Sequence, residues 1–95
     1  MKLTPRQIRK LRSAPCPTTG NKVGLAIEIL REDGIDVTQE AVAKAAGFSQ
    51  PYVSAVVVGR FDTVTIDNGY GFGDVFGVPL EDLFPSKKQR HGAVA

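Results

Sequence analysis

A chain of 95 residues is long enough for one domain with a modest core and too short for a deep pocket. No apolar run approaches the roughly 20 residues that a membrane-spanning helix needs, and no signal peptide is visible. The single cysteine, Cys16, excludes an intrachain disulfide. We therefore expect a cytoplasmic protein of bacterial or phage type without membrane contact.

The net charge of +2 hides an uneven distribution along the chain. Residues 1–22 carry six basic side chains and no acidic ones, whereas residues 23–84 carry three basic side chains and all ten acidic ones. Residues 85–95 add three more basic side chains. Any strong contact with an anionic partner is therefore expected from the two basic ends, unless these ends merely keep the chain soluble.

Two helices are predicted before residue 34. Thr4 and Gln7 have the spacing of a capping box, and a proline stands between them at the first helical position. A short basic helix is therefore predicted over residues 5–13, followed by a linker rich in helix breakers over residues 14–20. Apolar residues at helical spacing predict a second helix over residues 22–33, ended by a glycine.

The segment 38–59 predicts two short helices joined by a tight turn, which is the layout of a helix-turn-helix. Thr38 and Ser49 are residue types that cap helices, and each precedes an apolar periodic run. Gly47 stands where the chain has to turn sharply, and glycine reaches positive φ without steric cost. This module places its second helix in the DNA major groove.

A further helix is predicted over residues 65–76, although three glycines alternate within it: Gly69, Gly71 and Gly73. Two interpretations compete. Either packing of Ile66, Tyr70 and Phe76 holds a regular helix, or the region is an irregular loop that orders with a partner. A last short helix is predicted between Pro79 and residue 84, and the tail over residues 85–95 is predicted to be disordered.

The segment 38–59 resembles the helix-turn-helix of the Xre/Cro-like, phage-repressor-type family. Small or apolar residues and a turn glycine of that motif correspond here to Val42, Ala43, Ala46, Gly47, Phe48, Val53 and Val56. The run SQPYVS at residues 49–54 resembles the start of a family recognition helix, and GVPLEDLF at residues 77–84 resembles the end of the family domain. The glycines of the predicted helix over residues 65–76 depart from the family's leucine-rich pattern.

The resemblance covers roughly residues 21–84 and implies an all-α, compact repressor-like domain of four to five helices. The predicted organisation is thus a basic helix and linker over residues 1–20, the DNA-binding domain over residues 21–84, and the tail over residues 85–95. The implied function is sequence-specific binding of double-stranded DNA by a transcriptional regulator, a repressor in the first instance.

A recognition helix over about residues 50–58 would read base edges from its N-terminal side. Gln50 can bond bidentately to adenine, and Ser54 can bond either purine. Pro51 and Ala55 can only make apolar contact, for example with a thymine methyl group. This reading face is thin because it lacks an arginine for guanine, so DNA shape and the N-terminal arm are expected to add specificity.

Phosphate contacts are expected around this helix and at the basic N-terminus. Gln39 opens the first helix of the pair, where backbone N–H groups favour a phosphate. Lys44 and Arg60 supply local positive charge, and Tyr52 is expected either to bond a phosphate through its hydroxyl or to pack on the linker. The N-terminal candidates are Arg6, Arg9, Lys10 and Arg12.

An oligomer or partner surface is expected at Val57, Val58 and Phe72, because the three consecutive valines 56–58 cannot all face the core and Phe72 is expected to be exposed near them. The alternative is that the valines pack on the linker or on the basic N-terminal helix. A homodimer that reads two half-sites is the first expectation. The alternatives are a protein-binding adaptor on a helix-turn-helix scaffold and an antitoxin that binds a toxin and its own operator.

No pattern in the sequence predicts catalysis, a metal site or a cofactor. Ser54 has no histidine near it in sequence or in any plausible fold, which argues against a hydrolase. Cys16 in the linker and His91 in the tail are each alone, so no cluster has metal-ligand spacing. We therefore expect a protein that is not an enzyme and binds no cofactor.

Overall fold

The computed structural model describes residues 1–61 and 64–85 and contains no strand within them, which confirms the predicted all-α class. The helices in chain order are α1 (Pro5–Ser13), α2 (Val23–Glu32), α3 (Gln39–Ala46), α4 (Gln50–Val57), α5 (Ile66–Phe76) and α6 (Leu80–Leu83). None of them is long and apolar enough to cross a membrane. Of the tail predicted to be disordered, over residues 85–95, the structure describes Pro85, which is half-buried, and the rest lies outside the described part of the chain.

Side-chain caps set the helix starts where the sequence predicts them. Thr4 and Gln7 form a complete capping box at α1, with each side chain bonded to the other residue's backbone N–H. Thr38, Ser49 and Thr65 each accept a hydrogen bond from the N–H three residues further on, at 3.1–3.2 Å. These caps fix the first turns of α3, α4 and α5.

The core is one cluster to which every helix contributes buried apolar side chains. Its largest fully buried members are Phe72, Phe76, Leu11, Ile29, Leu30, Leu83, Val23, Val37, Val42, Val53 and Val56. Leu11 comes from α1, so the basic N-terminal helix is packed onto the same core as the rest of the domain. Removing it would expose apolar surface as well as remove charge.

Helix α5 is regular in spite of its glycines. Two of these glycines stand where a neighbouring group packs too closely for a side chain. A Cβ on Gly73 would lie 2.6 Å from the carbonyl oxygen of Val78, and a Cβ on Gly71 would lie 2.9 Å from the ring of Phe48. Both distances are too short for carbon. The glycines therefore lower the helix propensity of α5 but allow the Phe48 ring and the Val78 backbone to lie directly against it.

The burial of α5 corrects two predictions. Ile66 and Tyr70 were expected to pack the helix, but they are 47% and 57% exposed, and Phe72 packs it together with Phe76. Phe72 was expected on a partner surface, which is wrong because its side chain is fully buried. Its ring centroid lies 4.9 Å from that of Phe48, so the apolar surface of Phe72 is used inside the core.

Candidate nucleic-acid interface

Helices α3 and α4 form the predicted helix-turn-helix. Gly47 ends α3 in the left-handed conformation, with φ of +77°, and Ser49 caps α4 two residues later. A non-glycine residue at position 47 would be strained in this conformation. The phenyl ring of Phe48 packs from this turn against Tyr52 and Phe72, which ties the turn to α4 and α5.

The two sides of α4 differ in burial as the proposed reading face requires. Val53 and Val56 are buried and hold the helix on the core. Gln50 and Pro51 are exposed at its N-terminal end, and Ser54 and Ala55 are half-buried beside them. At about 100° per residue these four side chains span the half of α4 that faces away from the valines.

The C-terminal end of α4 is held by a residue from the linker before α2. Asn21 is buried, donates its side-chain N–H to the carbonyl oxygen of Val56 at 2.8 Å and accepts from the backbone N–H of Val23 at 3.0 Å. Gly59 follows α4 with φ of +79° and packs so closely that a Cβ would lie 2.8 Å from Thr19 Cα. The linker thus fixes where α4 ends.

Asn21→Ala is expected to lower the free energy of unfolding by about 1–2 kcal/mol, because it leaves the buried N–H of Val23 without its partner. Chemical denaturation of the variant and the wild type measures this difference. Thr18→Ala, an exposed position in the same linker, is the control and is expected to be neutral. Equal stability of Asn21→Ala and the wild type would show that the linker does not fix α4.

Tyr52 is half-buried at the side of α4 that faces α5. Its ring lies 5.1 Å from that of Phe48 and 5.5 Å from that of Phe61, measured between centroids. Its hydroxyl oxygen accepts a hydrogen bond of 2.8 Å from the side-chain N–H of Asn68 in α5. Tyr52 was expected to bond a phosphate or to pack on the linker; it packs instead on α5 and Phe61, and these contacts leave its hydroxyl proton for another acceptor.

The predicted phosphate contacts near α4 differ in exposure. Lys44, in the last turn of α3, and Arg60, beyond the end of α4, are both exposed. Gln39 is half-buried at the first position of α3. The backbone N–H of Arg60 donates to the carbonyl oxygen of Ala55 at 2.9 Å, so the chain turns back towards α4 at this point.

The basic residues of α1 divide into two pairs. Lys10 Nζ lies 2.6 Å from Glu32 of α2, and Arg12 Nε lies 2.9 Å from Asp82 of α6. These two cations therefore have carboxylate partners within the fold, which sequence reasoning did not foresee. Arg6 and Arg9 are exposed. Fewer cations of α1 are thus left without a carboxylate partner than its sequence suggests, although an ion pair as exposed as Lys10–Glu32 is weak.

The two valines at the end of α4 are not equivalent. Val58 is 54% exposed, as expected for a partner surface. Val57 is half-buried, and its methyl group lies close enough to Gly24 that a Cβ there would be 3.2 Å away. Of the three residues predicted for this surface, Val58 is exposed, Val57 is half-buried and Phe72 is buried.

Asn21, Phe61 and Asn68 take part in this region and were missed in the sequence. Asparagine before a helix is a known cap signal and could have indicated Asn21. The contacts of Phe61 and Asn68 join residues distant in sequence and carry no local signal.

No family model, curated protein or solved structure matches the chain.

Proposed function

We propose that this chain is a sequence-specific DNA-binding transcriptional regulator of the Xre/Cro-like type. It acts in the cytoplasm as a homodimer and represses by occupying an operator. The observation that carries the proposal is the two-sided α4, with Val53 and Val56 buried and Gln50 and Pro51 exposed at its capped N-terminal end. A helix held in this way has its first turns free to enter the major groove.

Base reading follows from the chemistry of the exposed side of α4. Gln50 offers an amide whose N–H and C=O match the N7 and N6 groups of adenine. Ser54, one turn further along, can donate to or accept from a purine edge. Pro51 and Ala55 present carbon to the groove, where a thymine methyl group is the complementary contact.

Phosphate contacts would come from exposed groups on both sides of α4. Lys44 and Arg60 supply charge, and Gln39 with Tyr52 supplies neutral donors. Arg6 and Arg9 add charge from α1 if the DNA path reaches that helix. Because residues 23–84 carry a net negative charge, each exposed cation near α4 contributes a large share of the total attraction.

Arg60→Ala is expected to weaken binding to all duplex sequences alike and to reduce the slope of log K against log salt by about one unit. Arg60→Lys is the matched control, since it keeps the charge and should keep the slope. Fluorescence anisotropy of labelled duplex DNA over a range of salt concentrations measures both. A slope unchanged in Arg60→Ala would show that this residue does not neutralise a phosphate.

The function itself is tested by incubating the purified protein with fragmented DNA from its source organism and sequencing what is retained. We expect an enriched inverted repeat, because a twofold dimer reads two half-sites about one helical turn apart. Absence of retention at both low and physiological salt would contradict the proposal.

The second candidate is a protein-binding adaptor or antitoxin on the same scaffold. It is favoured by the exposed Val58 and by the internal ion pairs of Lys10 and Arg12, which leave fewer cations for DNA. The DNA retention experiment separates the adaptor from the regulator, and binding of a protein partner separates the antitoxin. An adaptor retains no duplex DNA alone, whereas an antitoxin retains its own operator and also binds a protein partner.

A further inference from the structure

The side chains of Tyr52 and Asn68 join α4 to α5 beside the proposed reading face. Each occupies the third position of its helix, and each backbone N–H is already bonded to the capping hydroxyl of Ser49 or Thr65. Asn68 Nδ2 donates to the Tyr52 hydroxyl oxygen at 2.8 Å. The donors that this pair still offers to a ligand are therefore side-chain groups, namely the phenolic O–H of Tyr52 and the second N–H of the Asn68 amide.

The position of that hydroxyl is fixed. The Tyr52 ring is held between Phe48, Phe61 and Phe72, with centroid distances of 5.1, 5.5 and 6.3 Å. A phenol has one proton and two lone pairs, and Asn68 occupies a lone pair. The hydrogen bond from Asn68 thus prevents the hydroxyl from donating to Asn68 and leaves its proton for an outside acceptor.

The direction of this donor is set by the helix geometry. With about 100° per residue, Tyr52 lies at the edge between the buried side of α4 and the side carrying Pro51 and Ala55. A helix about 10–12 Å wide fills a major groove about 12 Å wide. The edges of such a helix face the phosphates that line the groove, whereas its outer side faces the bases.

We propose that Asn68 is a positioning residue for DNA binding: it holds the Tyr52 hydroxyl so that its proton is donated to a backbone phosphate. The inference rests on the proposed function and assigns a role to a residue of α5. The ligand chemistry is a phosphate diester oxygen, which accepts without regard to sequence. The contact therefore adds affinity for every duplex and places α4 in register.

The test is a double-mutant cycle with Tyr52→Phe, Asn68→Ala and the double variant. The probe is fluorescein-labelled duplex DNA of mixed sequence, measured by anisotropy at low salt. We expect each single substitution to weaken binding by about tenfold, as for a lost hydrogen bond to a charged group. The double variant should bind no more weakly than Tyr52→Phe, because Asn68 acts only through the hydroxyl.

A second substitution, Asn68→Asp, distinguishes the positioning role of Asn68 from a role in stability alone. Asn68→Asp keeps the size of the side chain but offers an acceptor, so the Tyr52 hydroxyl should turn its proton inward and stop donating to DNA. Repeating Asn68→Asp in the Tyr52→Phe background measures the effect of the added charge alone. We expect an additional loss of binding only where Tyr52 is present, with thermal unfolding within a few degrees of the wild type.

Additive losses in the cycle, or wild-type affinity in Asn68→Ala, would overturn the positioning role while leaving the proposed function intact. The wild-type protein serves as the internal reference for that distinction. If it does not bind the duplex at all, the proposed function fails and the role of Asn68 fails with it.

Discussion

Gly73→Ala is expected to destabilise the fold by about 2–3 kcal/mol. The new Cβ would lie 2.6 Å from the carbonyl oxygen of Val78, a contact that forces the backbone to move. That backbone is tied down, because the N–H of Val78 donates to the carbonyl of Gly73 at 3.0 Å. The gain in helix propensity, about 1 kcal/mol, is too small to offset the displacement of the α5–α6 connection.

Gly69→Ala is the matched control within the same helix. Its Cβ would meet Leu80 at 3.6 Å, which is ordinary van der Waals contact, so the substitution should be neutral or stabilising by up to about 1 kcal/mol. Urea denaturation of the two variants beside the wild type measures both effects. Equal stability changes would show that close packing is not the reason for glycine at position 73.

Gln50→Ala is expected to weaken binding to a duplex that carries the inverted repeat enriched in the retention experiment. The expected loss is about 1–3 kcal/mol, roughly 5- to 150-fold, because the bidentate contact with adenine is lost. Gln50 is exposed, so the variant should unfold at the wild-type temperature. Binding to mixed-sequence DNA should change little. Anisotropy titrations with both duplexes measure the ratio, and unchanged affinity for the enriched duplex would remove α4 from base recognition.

Gln39→Ala is the control for this prediction, because it makes the same change at the first position of the neighbouring helix. Gln39 is proposed to contact phosphate, so its loss should weaken binding to both duplexes by the same factor. A selective loss in Gln39→Ala would assign base reading to α3 instead.

The sequence was sufficient for the features of the fold that depend on neighbouring residues. The caps Thr4, Thr38 and Ser49 and the turn at Gly47 each depend on a few neighbouring residues, and the structure confirms them. A capping hydroxyl or a left-handed glycine acts on the next turn of chain only.

Features that depend on distant residues could not be predicted in the same way. Gly73 is a local exception: Val78 folds back onto it through the left-handed turn at Gly77, but the propensity cost of the glycines looked like evidence for a loop. Phe72 looked available for a partner because its ring neighbour, Phe48, is 24 positions away. The carboxylate partners of Lys10 and Arg12 come from α2 and α6 for the same reason.

The candidate site also contains features that local sequence predicts and features that only long-range packing explains. The outer side of α4 follows from local helical periodicity, and its exposed Gln50 and Pro51 agree with the prediction. The contacts around Tyr52 and the hydrogen bond from Asn21 to the carbonyl oxygen of Val56 join residues distant in sequence. They became visible only in the structure.

The most direct test of base reading by α4 is selection of binding sites from a randomised duplex library at physiological salt, with the wild type and Gln50→Ala in parallel. We expect the wild type to enrich an inverted repeat with an adenine at a fixed place in each half-site, and the variant to lose that adenine only. An identical motif for both proteins, or no motif for the wild type, would contradict the assignment of α4 as the recognition helix.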